Sequence, residues 1–149
     1  MGEKPFRADQ VMQWIYRRTA DDFDLMTNIS KDLREKMKQR FVIRHPELVT
    51  EQVSQDGTRK WVLRLDGGNA IETVFIPEND RGTLCISSQV GCAMDCSFCS
   101  TAQQGLNRNM TTAEIVAQVW FAARTLGGDF QNERVISNVV FLGMDEPLA

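Results

Sequence analysis

The spacing of hydrophobic residues predicts two helices within residues 1–45. The apolar residues of the first helix are Val11, Trp14 and Ile15. The mostly acidic stretch of residues 21–24 then interrupts the pattern. A second helix is expected after Ser30, whose hydroxyl can cap it. The apolar face of this second helix is formed by Leu33, Met37 and Phe41.

The pattern changes to the alternation of half-buried strands after the second helix. Three strands are expected, at residues 48–55, 58–65 and 70–76. Between the first two, Asp56-Gly57 is a strong signal for a two-residue hairpin turn. The second strand has one apolar face, formed by Trp61, Leu63 and Leu65.

The third strand contains a glutamate, Glu72, in an otherwise apolar row. The other residues of that row are Ala70, Val74 and Ile76. Glu72 either reaches solvent from the strand or lies in a partly dry site. A dry site would raise the pKa of the carboxyl towards the range that a general base needs.

A polar segment, residues 79–82, is expected to link two domains. A short strand at residues 83–88 follows, with Cys85 on the face opposite Leu84 and Ile86. Thr111 and Glu114 have the spacing of a capping box, which predicts a helix that ends near residue 127. The β-branched run of residues 135–142 is typical of a buried parallel strand. Strand, helix and strand form one βαβ unit, so the fold class is α/β.

Charge adds one candidate surface. The 149 residues carry a net charge of −3 and a pI near 5.2, which is not the overall footprint of a nucleic-acid-binding protein. The second helix nevertheless has a basic face, formed by Lys31, Arg34, Lys36, Lys38 and Arg40. This face is either simply solvated or a local surface for phosphate groups. The chain has no run of apolar residues long enough to span a membrane.

All four cysteines lie within residues 84–105. Cys92, Cys96 and Cys99 have the spacing C-x-x-x-C-x-x-C, which lets one short loop surround a metal centre. Thiolates favour zinc, copper(I) or iron–sulfur clusters, and structural zinc usually takes four ligands. Three thiolates on a four-iron cube leave one iron able to bind a small molecule. Because no secretory leader is evident, clustered cysteines are better explained as metal ligands than as disulfides.

This spacing, with the aromatic Phe98 before the third cysteine, resembles the motif of the radical S-adenosylmethionine (SAM) superfamily. Longer segments narrow the resemblance; they are residues 2–8, 71–78, 83–92 and 98–105. These segments resemble the bacterial dual-specificity RNA methyltransferases, which methylate carbon 2 of adenine in large-subunit rRNA and tRNA. The resemblance implies the first βαβ part of a radical-SAM partial (β/α) barrel, preceded by a small α+β accessory domain.

The resemblance also implies residue roles. Cys92, Cys96 and Cys99 would ligate a [4Fe–4S] cluster whose open iron binds SAM. Glu146 would lie near the SAM amino group, beside Asp145, which stands where the family usually has glycine. Glu72 would remove the proton from carbon 2 of adenine. Cys85 would form a disulfide with a methyl-carrying cysteine and so release the product.

Other expectations follow from the same resemblance. Residues 1–78 would be the RNA-contacting accessory domain and residues 83–149 the start of the barrel. The methyl-carrying cysteine has no counterpart, so we expect an N-terminal fragment that is inactive alone. The expected partners are rRNA, tRNA and a flavodoxin-like electron donor, for a cytoplasmic monomer without membrane contact. The alternative is a zinc-binding RNA-interaction module without catalysis.

Overall fold

The computed structural model describes residues 2–79, 81–94, 96–127, 135–143 and 146. Its first part is helical, as predicted. Helix α1 (Phe6–Met12) continues directly into a π-helical turn, Gln13–Arg17. A single 3-10 turn, Phe23–Leu25, precedes helix α2 (Lys31–Lys38). The predicted cap is confirmed, because the backbone N–H of Leu33 donates to the Ser30 hydroxyl over 3.4 Å.

The helical part has a small core of its own. Its buried residues are Phe23, Met26, Ile29, Leu33 and Met37. The prediction that Phe41 joins this face is wrong, because α2 ends at Lys38 and the Phe41 side chain is 56% exposed. A helical period carries a side chain to a given face only while the helix continues.

The rest of the chain is built on a five-stranded sheet. Its strands are β1 (Glu47–Val53), β2 (Arg59–Arg64), β3 (Ala70–Glu78), β4 (Arg81–Ile86) and β7 (Asn138–Phe141), and they lie side by side in the order β1-β2-β3-β4-β7. Two short strands, β5 (Gln89–Val90) and β6 (Arg108–Asn109), form a separate ribbon. The first four strands of the sheet are antiparallel, and β7 is parallel to β4.

One face of this sheet packs against helix α3 (Thr112–Thr125). The buried strand residues of this face include Trp61, Leu63, Ile71, Phe75, Leu84 and Ile86. Trp61 contacts Phe121 of the helix edge to face. The predicted alternation in β2 is therefore confirmed. The opposite face, which carries Glu72 and Cys85, is only half buried.

Two connections differ from the simplest predictions. The β1–β2 hairpin is confirmed, but its loop spans residues 54–58, with Gly57 at φ +85°, and so is longer than a two-residue turn. Strands β3 and β4 pair directly, from Val74 opposite Cys85 to Glu78 opposite Arg81. Within the predicted linker at residues 79–82, Arg81 and Gly82 are therefore strand residues of β4 that pair with β3 in the same sheet. The division into two domains remains a prediction.

The predicted βαβ unit is confirmed by the parallel pairing of β4 and β7 around α3. The capping box is present, with the Glu114 N–H donating to Thr111 Oγ1 and the Thr111 N–H donating to the Glu114 carboxylate. The prediction that this second strand is buried is wrong. Strand β7 is largely exposed because it is the edge strand of the described sheet. No helix within the described residues has the length and apolar character needed to cross a membrane.

Candidate functional site

The cysteine motif lies on a loop whose two ends meet. Strands β5 and β6 pair at its base, and the backbone N–H of Asn107 donates to the Val90 carbonyl over 2.8 Å. Gly91 packs directly against Gly105, and a Cβ built on Gly91 would overlap the Gly105 carbonyl oxygen. Gly91 also has φ +80°, a conformation that residues with a Cβ rarely adopt. Residues 91–105 therefore form a closed loop.

The three cysteines of the motif are half buried within this loop. The backbone N–H of Met94 lies 3.5 Å from the sulfur of Cys92, and the Cys99 N–H donates to the Cys96 carbonyl over 3.0 Å. Hydrogen bonds from the backbone of Ala102 and Thr101 lower the pKa of the Cys99 thiol. At Cys99 the loop backbone thus favours the thiolate, which is the form that binds metal.

The donor set of the loop, three soft thiols in one short segment, fits an iron–sulfur cluster. Among the residues described, no group of three or more His, Cys, Asp or Glu side chains could hold one metal ion. A zinc ion needs its ligands to converge on one point, whereas a four-iron cube takes each thiolate on a different iron. Cys85, the fourth thiol, is in β4 and not in the loop. The iron–sulfur cluster and the four-thiolate zinc site therefore both stay predictions.

Glu72 and Cys85 are on neighbouring strands and on the same face of the sheet. Cys85 pairs across the strands with Val74, two residues along from Glu72. Diagonal neighbours in such a ladder lie about 7–8 Å apart, within reach of one substrate group. The loop that carries the other cysteines follows the same strand, β4. The sheet therefore brings both residues to the approach to the cysteine loop.

The carboxylate of Glu72 is in a wet and charged environment. Its Oε1 lies 3.0 Å from the ammonium of Lys60 on β2, and its side chain is 39% exposed. These surroundings match the solvent-reaching alternative and not the partly dry one. The predicted row on β3 is confirmed, because Glu72 and Val74 share the half-buried face.

The thiol of Cys85 is in a drier position. Its neighbours in the ladder are Val74 on β3 and Val140 on β7. Burial raises the pKa of the Cys85 thiol, so the neutral form dominates at neutral pH. All four cysteines are free in the structure, and none forms a disulfide.

Glu146 lies beside the base of the loop. Its backbone N–H donates to the Gln89 side-chain oxygen over 3.4 Å, and Gln89 immediately precedes Val90 and Gly91. The other Gln89 side-chain atom, Nε2, donates to Asn109 across the ribbon over 3.0 Å. Asp145, the second predicted cofactor residue, is outside the described residues.

Two of the five cations on the basic face of α2 are paired with carboxylates. Lys36 pairs with Asp32 over 2.7 Å, and Lys38 pairs with Asp24 over 2.6 Å. The guanidinium of Arg34 donates to the Asp24 carbonyl over 2.6 Å. Lys31, Arg34 and Arg40 have no carboxylate partner among the described residues, so both the solvated face and the phosphate-binding surface stay predictions.

Sequence reasoning missed one buried polar residue near the site, Gln118. Its side chain links α3 to β3 and to the end of β4. The only signal for it in the sequence is a polar residue among the apolar positions of a helix face, between Ile115 and Ala122.

Comparison with known proteins shows which proteins the chain resembles. A family model described as the ribosomal RNA large subunit methyltransferase N-terminal domain matches residues 1–43. The chain is similar to proteins named dual-specificity RNA methyltransferase RlmN. It is 58% identical to the one from Marinobacter nauticus and 61% identical to the one from Alkalilimnicola ehrlichii, each over 99% of the chain. Nearly the whole chain therefore resembles part of a dual-specificity RNA methyltransferase.

A solved structure supports the same resemblance. The crystal structure of a radical SAM methyltransferase from Sphaerobacter thermophilus matches 96% of the chain with a TM-score of 0.84 and 43% sequence identity. The chain covers 41% of that structure, and 40% of the length of each of the two relatives. The expected fold class, a partial α/β barrel of the radical SAM kind, agrees with this likeness.

Proposed function

We propose that this chain supplies the cluster-binding part of a radical SAM methyltransferase that acts on carbon 2 of adenine in rRNA and tRNA. One observation carries the proposal: a closed loop presents three thiols above the ribbon that Glu146 contacts, and the strand that leads into the loop carries Cys85 on the same face of the sheet as Glu72. The names of the relatives support RNA as the substrate class.

The residues then have separate roles. Cys92, Cys96 and Cys99 would hold the cluster, since three soft thiolates in a partly exposed loop suit iron–sulfur ligation. When bound, the [4Fe–4S] cluster and SAM supply the one-electron chemistry that methylation of an unactivated ring carbon requires. Glu146 would accept a hydrogen bond from the SAM ammonium, the usual partner of a carboxylate, and Asp145 would lie next to it.

Two residues would act on the RNA substrate. Glu72 would accept the proton from carbon 2 of adenine from a solvent-reaching position beside Lys60, and not from the dry site that the sequence left open. Cys85 would form a disulfide with a methyl-carrying cysteine. The other three cysteines of this sequence are the proposed cluster ligands, so the methyl-carrying cysteine has no counterpart in it. An RNA partner, a flavodoxin-like electron donor, a monomeric state and a cytoplasmic location complete the proposal.

Anaerobic reconstitution with iron and sulfide tests the cluster site. We expect about four irons per chain, as for one [4Fe–4S] cluster. Cys96→Ala should lose the cluster, because it removes one of three protein ligands. Cys85→Ala is the matched control and should keep it, because Cys85 is outside the loop.

Other outcomes contradict the proposal. Loss of metal in both variants, with one zinc per wild-type chain, would establish the zinc alternative. Full iron content in Cys96→Ala would exclude this cysteine as a ligand. A wild-type chain that assembles no cluster would contradict the assignment of the loop as a cluster site.

A further inference from the structure

Gln118 is wholly buried in α3, and its side-chain amide makes three hydrogen bonds. Its oxygen accepts from the Thr73 hydroxyl over 2.8 Å and from the Ser87 backbone N–H over 2.9 Å. Its nitrogen donates to the Ser87 backbone carbonyl over 2.7 Å. One amide thus satisfies both backbone groups of Ser87 and one side chain on β3.

The two partners of Gln118 flank the candidate site. Thr73 is the residue after Glu72, and Ser87 follows β4 on the way from Cys85 to the cysteine loop. Ser87 itself donates from its hydroxyl to the Glu72 backbone carbonyl over 2.9 Å. Ser87 therefore links Glu72 to the start of the loop, and Gln118 binds Ser87 from α3.

Ser87 also contacts the segment that follows β7 and precedes Glu146. Gly143, which follows β7, packs so closely on Ser87 that a Cβ on Gly143 would overlap the Ser87 hydroxyl. Ser87 is thus the place where the chain before Glu146, the backbone of Glu72 and the strand into the loop come together. A contact that fixes the position of Ser87 therefore also fixes these three segments relative to one another.

Packing alone does not require glutamine here. A methionine has nearly the same volume and would fill the space between α3 and the sheet without a polar atom. It would leave the Ser87 N–H and carbonyl without their partners in α3, and a buried backbone group that loses its partner is costly. The amide is suited to the position because it offers a donor and an acceptor side by side.

We propose that Gln118 is a positioning residue, which sets the place of the Glu72 backbone relative to the start of the cysteine loop. The roles assigned to Glu72 and to the cysteine loop rest on the proposed function. The hydrogen bonds themselves do not, so the positioning can be measured on the metal-free chain.

Three variants test the proposal. Gln118→Met removes all three hydrogen bonds at nearly constant volume. Thr73→Val removes only the hydroxyl donor and leaves both bonds to Ser87. The matched control is Gln52→Met, the same replacement at an exposed position of β1. If Gln118→Met does not fold, Thr73→Val still reports on one bond of the network.

The measurement is the hydrogen-exchange protection of the Ser87 amide in the metal-free chain. We expect about a tenfold loss of protection in Gln118→Met, the factor that corresponds to one lost buried hydrogen bond. Thr73→Val should lose less, and Gln52→Met should match the wild type. Unchanged protection in Gln118→Met, with wild-type protection elsewhere in β4, would overturn the proposal.

Gln118→Glu provides a rescue that a purely space-filling role would not produce. A protonated carboxyl has an acceptor and an O–H donor, like the amide, whereas a carboxylate has no donor for the Ser87 carbonyl. The other titratable groups nearby are Glu114, which pairs with Arg108, and Glu72 and Cys85, which lie on the other face of the sheet. Relative to wild type at each pH, protection should be near normal at about pH 5 and about tenfold lower at about pH 8. Equal protection at both pH values would contradict the proposal.

A second readout separates this proposal from the proposed function. In reconstituted protein, Gln118→Met should bind as much iron as wild type but lose it to a chelator several times faster. Wild-type protein without a cluster contradicts the proposed function and leaves the exchange test intact. Normal iron loss together with normal Ser87 protection contradicts the positioning role alone.

Discussion

Trp120 and Ile15 are joined by a hydrogen bond of 2.8 Å from the indole nitrogen to the backbone carbonyl, although they are 105 residues apart in sequence. Arg124, one turn further along α3, donates to the Thr19 carbonyl over 2.7 Å and pairs with Asp21 over 2.6 Å. The helical part is therefore fastened to the same helix that carries Gln118. If residues 1–78 contact RNA as proposed, α3 would hold that contact at a fixed position relative to the sheet.

Replacement of Trp120 by phenylalanine should weaken this attachment. The change removes the indole donor and leaves the Ile15 carbonyl without it, which should lower the free energy of unfolding by about 1–2 kcal/mol. Trp14→Phe is the control, since its indole donates to Asn28 at an exposed site. Urea unfolding followed by circular dichroism gives both values, and equal losses would count against a special role for the Trp120 bond.

Gly91→Ala should disrupt the base of the cysteine loop. Gly91 has both a positive φ and a backbone contact with Gly105, so the expected cost is about 3 kcal/mol or more. Gly67→Ala separates the two causes. Gly67 has φ +93° but open space around it, so only the conformational cost of about 1 kcal/mol remains. Similar unfolding energies for the two variants would mean that the close approach of Gly91 to Gly105 contributes nothing.

The pair of Glu114 with Arg108 should make stability depend on acid. Arg108 donates two hydrogen bonds to the carboxylate, over 2.9 and 2.7 Å, and lowers the pKa of Glu114 from 4.5 to about 2. As the pH falls, the unfolded chain therefore binds a proton at Glu114 before the folded chain does. The contribution is complete above about pH 4.5 and is lost as the pH falls towards about 2.

The comparison of wild type with Glu114→Gln measures this contribution. At neutral pH the variant should be less stable by about 1–2 kcal/mol, after allowance for solvent screening. The difference should shrink as the pH falls through the window. Asp32→Asn, which removes an exposed i,i+4 pair with Lys36, should change stability by less than about 0.5 kcal/mol. A wild-type advantage that persists at low pH would refute the assignment.

Cys85 should react slowly with alkylating agents in the folded chain. Burial raises the pKa of its thiol, so less thiolate is present at mildly alkaline pH than in the unfolded chain. We expect the rate, mapped by mass spectrometry of the metal-free protein, to rise about tenfold or more in concentrated urea. Val74→Ala, opposite Cys85 in the ladder, should accelerate the reaction, whereas Val53→Ala on exposed β1 should not. Equal rates in folded and unfolded chain would contradict the burial of the thiol.

Local signals in the sequence were reliable guides. The capping box of Thr111 and Glu114 and the alternation of Trp61 with Leu63 depend only on near neighbours, and both are present in the structure. The βαβ unit followed from the same kind of pattern. The motif and its flanking segments were enough to identify the family that the relatives named above belong to.

Features that depend on distant partners were not predictable. Gln118 finds its partners at Thr73 and Ser87, and nothing near it in the sequence identifies them. The exposure of β7 depends on its edge position in the sheet, and that of Phe41 on the end of α2 at Lys38. The approach of Gly91 to Gly105 also could not be inferred, because glycines serve many kinds of turn.

The closed base of the cysteine loop has a consequence for protein engineering. Because residues 91 and 105 abut and the ribbon of β5 and β6 holds them together, the chain leaves and re-enters the fold at nearly one point. The entropy of closing a loop rises only slowly with its length. The interior of the loop could therefore be lengthened or replaced as an exchangeable cassette, while the ribbon below it keeps the strands in register.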